Sequence, residues 1–166
     1  MNEKCNNDIL KVCGLTERDI MTVESFIKSE GTSILGHLDF DAKQLEDDLD
    51  DEESSFYKGI FLDGSLIGLA TMGCNDDEES AVDENGEYHE HFILSNVYIK
   101  AAEREKGFGS YLVKELIRMS NEEEPYSDIY IDLLDSSLVT WYMNLGFVIS
   151  RSDACGTYEM ISKSAK

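Results

Sequence analysis

Apolar and polar positions alternate with two different periods along the chain, and the changes of period mark out its elements. Ile9 to Val12 is a short apolar run that predicts a first strand. Ile20, Val23, Phe26 and Ile27 recur at helical spacing, so a helix is expected from about Thr16 to Ser29. Thr16 and Asp19 have the spacing of a capping box at its start, and Gly31 ends it. Ala42 to Leu49 reads as a short acidic helix with Leu45 and Leu49 on one face. Phe56 to Leu62 and Leu66 to Cys74 are strands flanking Asp63-Gly64, a hairpin signal. The polar, acidic residues 75–88 read as a loop.

His91 to Ile99 is a long apolar strand. Phe108, Leu112, Leu116 and Met119 line one face of the next helix, and Asn121 to Pro125 is expected to break it. Asp128 to Leu134 predicts a buried strand, and Ser136 is placed as the cap of a helix running to Leu145. Phe147 to Ser150 and Thr157 to Ile161 close the chain as two strands. The expectation is one mixed α/β (α+β) domain over residues 1–166, with a mostly antiparallel central sheet of about six to seven strands and about four flanking helices. No repeat, linker or second domain is visible, and 166 residues are enough for one sizeable core.

The turn between the long strand and its helix carries candidate chemistry. Arg104, Gly107 and Gly109 lie where a strand ends and a helix begins. The free amides of a helix's first turn attract an anion, and glycine lets the backbone approach it. A Walker loop would need a lysine that Gly109-Ser110-Tyr111 lacks. A dinucleotide fingerprint would need a third glycine where Leu112 stands. Arg104-Glu105-Lys106-Gly107-Phe108-Gly109 resembles the Arg/Gln-x-x-Gly-x-Gly/Ala loop of the GNAT acyltransferases at every fixed position. Further on, Trp141-Tyr142-Met143-Asn144-Leu145-Gly146-Phe147 resembles the Leu-Tyr-x-x-x-Gly-Phe end of that family's fourth helix. Two positions depart from the family's habit: Asp135 and Leu138 stand where Asn and Ala are frequent.

That resemblance implies an acetyl-coenzyme A-dependent N-acetyltransferase whose transfer to a primary amine is direct, with no acyl-enzyme. Coenzyme A would pair its pantetheine arm with backbone near Val97, Tyr98 and Ile99. Its pyrophosphate would lie on the loop Arg104, Glu105, Lys106, Gly107, Phe108, Gly109 and Ser110. Lys100, Lys106 and Lys114 are candidates for the remaining phosphates. Tyr142, at the family's tyrosine position, would protonate the leaving thiolate, a phenol with pKa near 10 being a suitable acid. The family places its general base on the long strand, at positions that fall here on Ile93 and Ser95. Ile93 cannot act, and Ser95 can only pass a proton through water. His91 shares their strand face, as does His89 if the strand reaches that far. Glu87 and Glu90 offer a route from the loop. No metal is expected, because His89-x-His91 lacks a third ligand at recognisable spacing.

Charge narrows the partners. Thirty-five acids against 14 Lys and Arg give a net charge of −21, which excludes general nucleic-acid binding. Residues 39–53 hold nine acids against Lys43 alone, and residues 76–90 hold eight with no Lys or Arg. Residues 100–118 hold five Lys and Arg against three acids, a relatively basic patch suited to a polyphosphate. The acidic blocks are either solvated surface or a collar for a cationic amine such as a polyamine, an amino sugar or a protein amine. Halophilic adaptation is disfavoured by the ordinary Lys, Ile and Phe content. Cys5, Cys13, Cys74 and Cys155 form no C-x-x-C pair and read as free thiols; the direct transfer that the resemblance implies makes none of them a nucleophile. No membrane span or signal region is seen, so a cytoplasmic protein, monomer or homodimer, is expected. Two other function classes remain: a catalytically idle coenzyme A-binding module, and an acidic decoy for a basic partner.

Overall fold

In a computed structural model of the chain, the structure describes residues 10–31, 57–74 and 81–164. The expected helix over 42–49, the acidic segment 39–53 and Cys5 lie outside the described residues. Nine strands and three α-helices are described: β1 Leu10–Gly14, α1 Ile20–Glu30, β2 Tyr57–Leu62, β3 Ser65–Cys74, β4 Ala81–Val82, β5 Tyr88–His89, β6 Phe92–Ile99, α2 Phe108–Glu123, β7 Ile129–Leu133, α3 Val139–Asn144, β8 Val148–Ser152 and β9 Tyr158–Ser162. Seven strands hydrogen-bond in the order β1-β2-β3-β6-β7-β9-β8, mostly antiparallel, and β4 pairs with β5 alone. The mixed α+β class with a seven-stranded sheet is as the sequence predicts.

The chain forms two compact units, residues 1–70 with 96–106 and residues 71–95 with 107–166. In the first, the α1 stripe Val23, Phe26 and Ile27 buries against Leu15, Tyr57, Leu66, Leu69 and Tyr98. Burying such side chains is worth about 1.5–3 kcal/mol each. Thr16 and Asp19 make the expected capping box, both the Thr16 amide and its Oγ1 donating to Asp19 Oδ2 at 3.0 Å. Glu17–Asp19 form a 3-10 turn first, so the α-helix proper starts at Ile20. β1 runs antiparallel to β2 with Val12 opposite Ile60. Asp63 and Gly64 both take positive φ, 48° and 78°, as a two-residue hairpin turn requires.

In the second unit Leu112, Val113 and Leu116 of α2 are fully buried, as are Phe147 and Met160. β7 pairs antiparallel with β9, and β9 with β8. The pairing of β6 with β7 is parallel and confined to two residue pairs, Phe92↔Ile129 and Ile93↔Tyr130.

Three local expectations are corrected. Residues 81–89 are not plain loop but a small hairpin, closed by Asp83, whose Oδ1 accepts from the Asn85 and Glu87 amides at 2.8 and 2.9 Å. α2 continues through Asn121 to Glu123, because Pro125 ends a helix only at the residues next to it. The cap before α3 is Asp135, not Ser136. Its Oδ1 accepts the Ser137 amide at 2.8 Å, and a 3-10 turn over Ser136–Leu138 precedes the α-helix. An aspartate in the place where the family favours asparagine keeps the side-chain oxygen that caps.

Candidate active site

β6 is the element from which the candidate cofactor residues are built. Asn96 has φ 52°, an uncommon value for a side-chain-bearing residue inside a strand, and it interrupts the regular alternation there. Beyond it, Tyr98 is 4% exposed and belongs to the core. Its hydroxyl donates to Glu30 Oε2 at 2.9 Å, and the Ala101 amide donates to the same oxygen at 2.8 Å. One carboxylate at the end of α1 thus fixes both the last buried residue of β6 and the turn that follows. Arg104 folds back on this frame: its Nε donates to the Ile99 carbonyl at 3.0 Å and its guanidinium lies 4.9 Å from the Tyr98 ring centre. Glu30 is an anchoring residue that sequence reasoning did not single out. At the last position of an amphipathic helix it reads as a solvated charge, and only tertiary contact reveals its partners.

Lys100 donates its amide to the Ile67 carbonyl at 2.8 Å. With Ser25, Ser29 and Ser65 it borders a groove of about 600 Å³ beside α1, a volume typical of ligand sites. Exposed Lys106 pairs with half-buried Glu103 at 2.8 Å, and Lys114 is exposed. Glu105 takes φ 62° and is exposed.

The start of α2 is open. Gly107 is its N-cap at φ 87°, ψ −2°, a left-handed conformation that glycine adopts without strain. There is no side-chain cap and no acid in the first turn. Tyr111 N bonds the Gly107 carbonyl at 3.0 Å, whereas Phe108, Gly109 and Ser110 precede that first intrahelical bond. Their amides, at the positive end of the helix dipole, offer an anion three donors with no acid in that first turn. Ser110 Oγ receives the indole N–H of Trp141 at 3.1 Å, which ties α3 to the first turn of α2.

Tyr142 is 3% exposed, packed edge-on against Trp141 and Phe147 with ring centres 4.5 and 5.4 Å away. Among the described residues its hydroxyl has no hydrogen-bond partner. Burial pushes the phenol pKa well above the ordinary tyrosine value. The group stays protonated through neutral pH, as a proton donor must.

The three base candidates on the strand side fare differently. His91 is 7% exposed, and its Nδ1 accepts the Asp128 amide at 2.9 Å. A neutral ring accepting at Nδ1 carries its proton on Nε2, so no lone pair remains to take another. Asp128 is itself buttressed, its Oδ2 receiving Lys163 Nζ at 2.9 Å and its Oδ1 the Ser164 amide at 2.6 Å. Ser95 is exposed and shares a 2.7 Å hydroxyl contact with Thr71, whose Oγ1 also donates to the Ser95 carbonyl at 3.1 Å. His89 lies between Glu124 and Asp83, 3.0 and 3.5 Å from its two ring nitrogens, and the bond to Glu124 raises its pKa. Among the described residues, Cys13, Cys74 and Cys155 form no disulfide.

Residues 20–147 match the model of the acetyltransferase (GNAT) family, and the chain belongs to that family. Solved structures agree on the fold. A GNAT acetyltransferase from Streptococcus pneumoniae is 15% identical with a TM-score of 0.65, covering 95% of this chain and 100% of that one. The ribosomal-protein-S18-alanine N-acetyltransferase from Escherichia coli is 12% identical, TM-score 0.66, covering 95% and 96%. The PaiA N-acetyltransferase from Thermoplasma acidophilum, in complex with coenzyme A, is 16% identical, TM-score 0.64, covering 93% and 99%. A search of the curated proteins finds no sequence match. No described helix is long and apolar enough to cross a membrane.

Proposed function

We propose that the protein is an acetyl-coenzyme A-dependent N-acetyltransferase acting on a cationic primary amine. The observation that carries this reading is the start of α2: a left-handed glycine cap, no acid in the first turn, and Arg104 just before it. The amides of Phe108, Gly109 and Ser110 take the pyrophosphate, with Arg104 and Lys106 beside them and Lys100 and Lys114 available to the outer phosphate. Backbone groups of Val97 and Ile99 pair with the pantetheine arm like an added strand. The Val97 amide polarises the thioester oxygen.

The neutral amine attacks the carbonyl carbon, the C–S bond breaks, and the Tyr142 hydroxyl gives its proton to the departing sulfur. The amine proton leaves to water at the Ser95–Thr71 hydroxyl pair, His91 being engaged with Asp128. Holding the two reactants together supplies the largest share of the acceleration, up to about 7–11 kcal/mol. The acidic segments 39–53 and 76–90 draw a cationic acceptor. The occupied lone pair of His91 favours one second reading, a coenzyme A-binding module without turnover. Both predict binding; only the enzyme acetylates.

The test is calorimetry with coenzyme A, followed by thiol release from acetyl-coenzyme A over a panel of polyamines, amino sugars and peptide amines. Binding weakened at least tenfold, about 1.4 kcal/mol, is expected in Gly107→Val. Wild-type affinity in that variant removes the loop assignment. Binding without transfer to any amine selects the idle module. Turnover at low amine that ignores ionic strength returns the acidic segments to solvated surface.

A further inference from the structure

The β4–β5 hairpin is too small to be stable by itself. Each strand has two residues, and a hairpin of that size has no independent stability in water. Its turn is closed by Asp83 Oδ1, and the same device recurs at Asp153, whose Oδ1 accepts the Cys155 and Thr157 amides at 2.8 and 2.9 Å. Turn chemistry therefore accounts for one Asp83 oxygen. The other, Oδ2, accepts the Asn85 side-chain amide at a longer 3.3 Å, and the turn does not account for the ring on its far side.

His89 faces that oxygen. The imidazole Nε2 is 3.5 Å from Asp83 Oδ2, and Nδ1 is 3.0 Å from Glu124 Oε2. The ring stacks on Tyr126 with centres 4.9 Å apart. The Asp83 side chain is 6% exposed and that of His89 17%. Nε2 is buried with no hydrogen-bond partner. Glu124 can accept only a proton carried on Nδ1. When the ring carries that proton alone, its Nε2 lone pair faces the Asp83 carboxylate oxygen, and either a second proton or a metal cation at Nε2 joins the two. Glu87 supplies a third donor: one ligand atom each from Asp83, Glu87 and His89 lie within 4.8 Å of one another.

The dimensions suit a small divalent ion. Tetrahedral zinc with bonds of about 2.0–2.1 Å has ligand-to-ligand edges of about 3.3–3.4 Å. The Asp83–His89 separation of 3.5 Å is already such an edge. Glu87 is exposed and free to rotate inward. The Glu124 contact has the form in which a carboxylate orients a metal-bound imidazole and fixes its tautomer.

We propose that Asp83, Glu87 and His89 form a site for a divalent transition-metal ion, zinc foremost, completed by water, with Glu124 as the positioning residue for His89. One nitrogen and two carboxylates match zinc's donor preferences, and the two negative charges balance the ion. The ion joins the hairpin turn to its return strand, and Glu124 and Tyr126 hold that strand beside the end of α2. The residues leading into β6 are thereby fixed without any part in the acetyl-transfer chemistry.

The experiment uses the full chain, stripped with chelator and titrated with zinc chloride in a calorimeter, with thermal melting as a second readout. One ion per chain and a raised Tm are expected. His89→Gln and Glu87→Gln should each lose at least about tenfold in zinc affinity, and Glu124→Gln should weaken binding without changing its stoichiometry. Glu87 is exposed, so Glu87→Gln decides the matter if His89→Gln fails to fold. Absence of stoichiometric uptake by the wild type overturns the site. So does zinc binding unchanged in Glu87→Gln and His89→Gln, which places the ion elsewhere on the acidic surface.

Discussion

Gly68 lies in β3 with no positive φ, so alanine is conformationally allowed there and any penalty is one of space. A Cβ at this position would stand 2.5 Å from Ile99 Cδ1, 2.6 Å from the Tyr98 carbonyl oxygen and 2.9 Å from Ile60 Cγ2. The two methyl contacts can be relieved by side-chain rotation. The carbonyl cannot move without its strand. Carbon-to-carbonyl contacts settle at about 3.3–3.6 Å, so the Tyr98 carbonyl must retreat by roughly 0.7 Å. It lies between Val97 and Ile99, the residues proposed to pair with pantetheine, and beside the Lys100–Ile67 hydrogen bond. Overpacking of this kind costs about 1–3 kcal/mol. In a chain of this size that is roughly 2–4 °C of Tm per kcal/mol. Gly68→Ala should therefore melt lower and show a raised KM for acetyl-coenzyme A, although the residue is proposed to touch no ligand. Gly64→Ala is the control, because a Cβ there meets nothing within 4 Å and only its φ of 78° is penalised. A Gly68→Ala protein with wild-type Tm and KM would refute the packing of β3 on β6 and the placement of the cofactor strand built on it.

Tyr142→Phe should lower kcat by roughly 10²-fold with little change in the acetyl-coenzyme A KM. Because the hydroxyl has no described partner, Tm should hold or rise, and a loss of stability equal to the loss of rate would make Tyr142 merely a core residue. The alkaline limb of kcat governed by this phenol should lie above pH 10 in the wild type, since burial raises its pKa, and be missing in the Phe variant. Glu30→Ala should raise the acetyl-coenzyme A KM about tenfold, about 1.4 kcal/mol, at nearly constant kcat. Glu30→Gln, whose amide oxygen can accept the same two bonds, should restore it; failure of that rescue counts against the positioning role. Burial opposes ionisation of Asp128, but the Ser164 amide and Lys163 outweigh it and hold its pKa below the usual carboxylate value. As pH falls the unfolded chain protonates first, so stability is present above the ordinary carboxylate range and lost below about pH 4. Denaturant titrations at pH 6 and pH 3 should show a smaller difference for Asp128→Asn.

The sequence by itself determined the order of elements, because each depends on neighbours in the chain. The helical stripe from Ile20, the capping box of Thr16 and Asp19, the Asp63-Gly64 turn and the glycines after Arg104 are local signals. The structure builds the corresponding element from each. The motifs that place the chain in its family were legible for the same reason. The hairpin at 81–89 was not, since its two-residue strands are below the length at which periodicity can be read, and its Asp83 turn is a matter of side-chain geometry. His91 was legible as a histidine on the right strand face but not as an acceptor for the Asp128 amide, a partner 37 residues away. Glu30 looked like surface until folding carried it to residues 68 and 71 places further on. Local periodicity records which face of an element is buried. It does not record which donor from another element arrives at a given lone pair. Only tertiary structure settles that, and the free or engaged state of each lone pair decides which candidate residues remain available for chemistry.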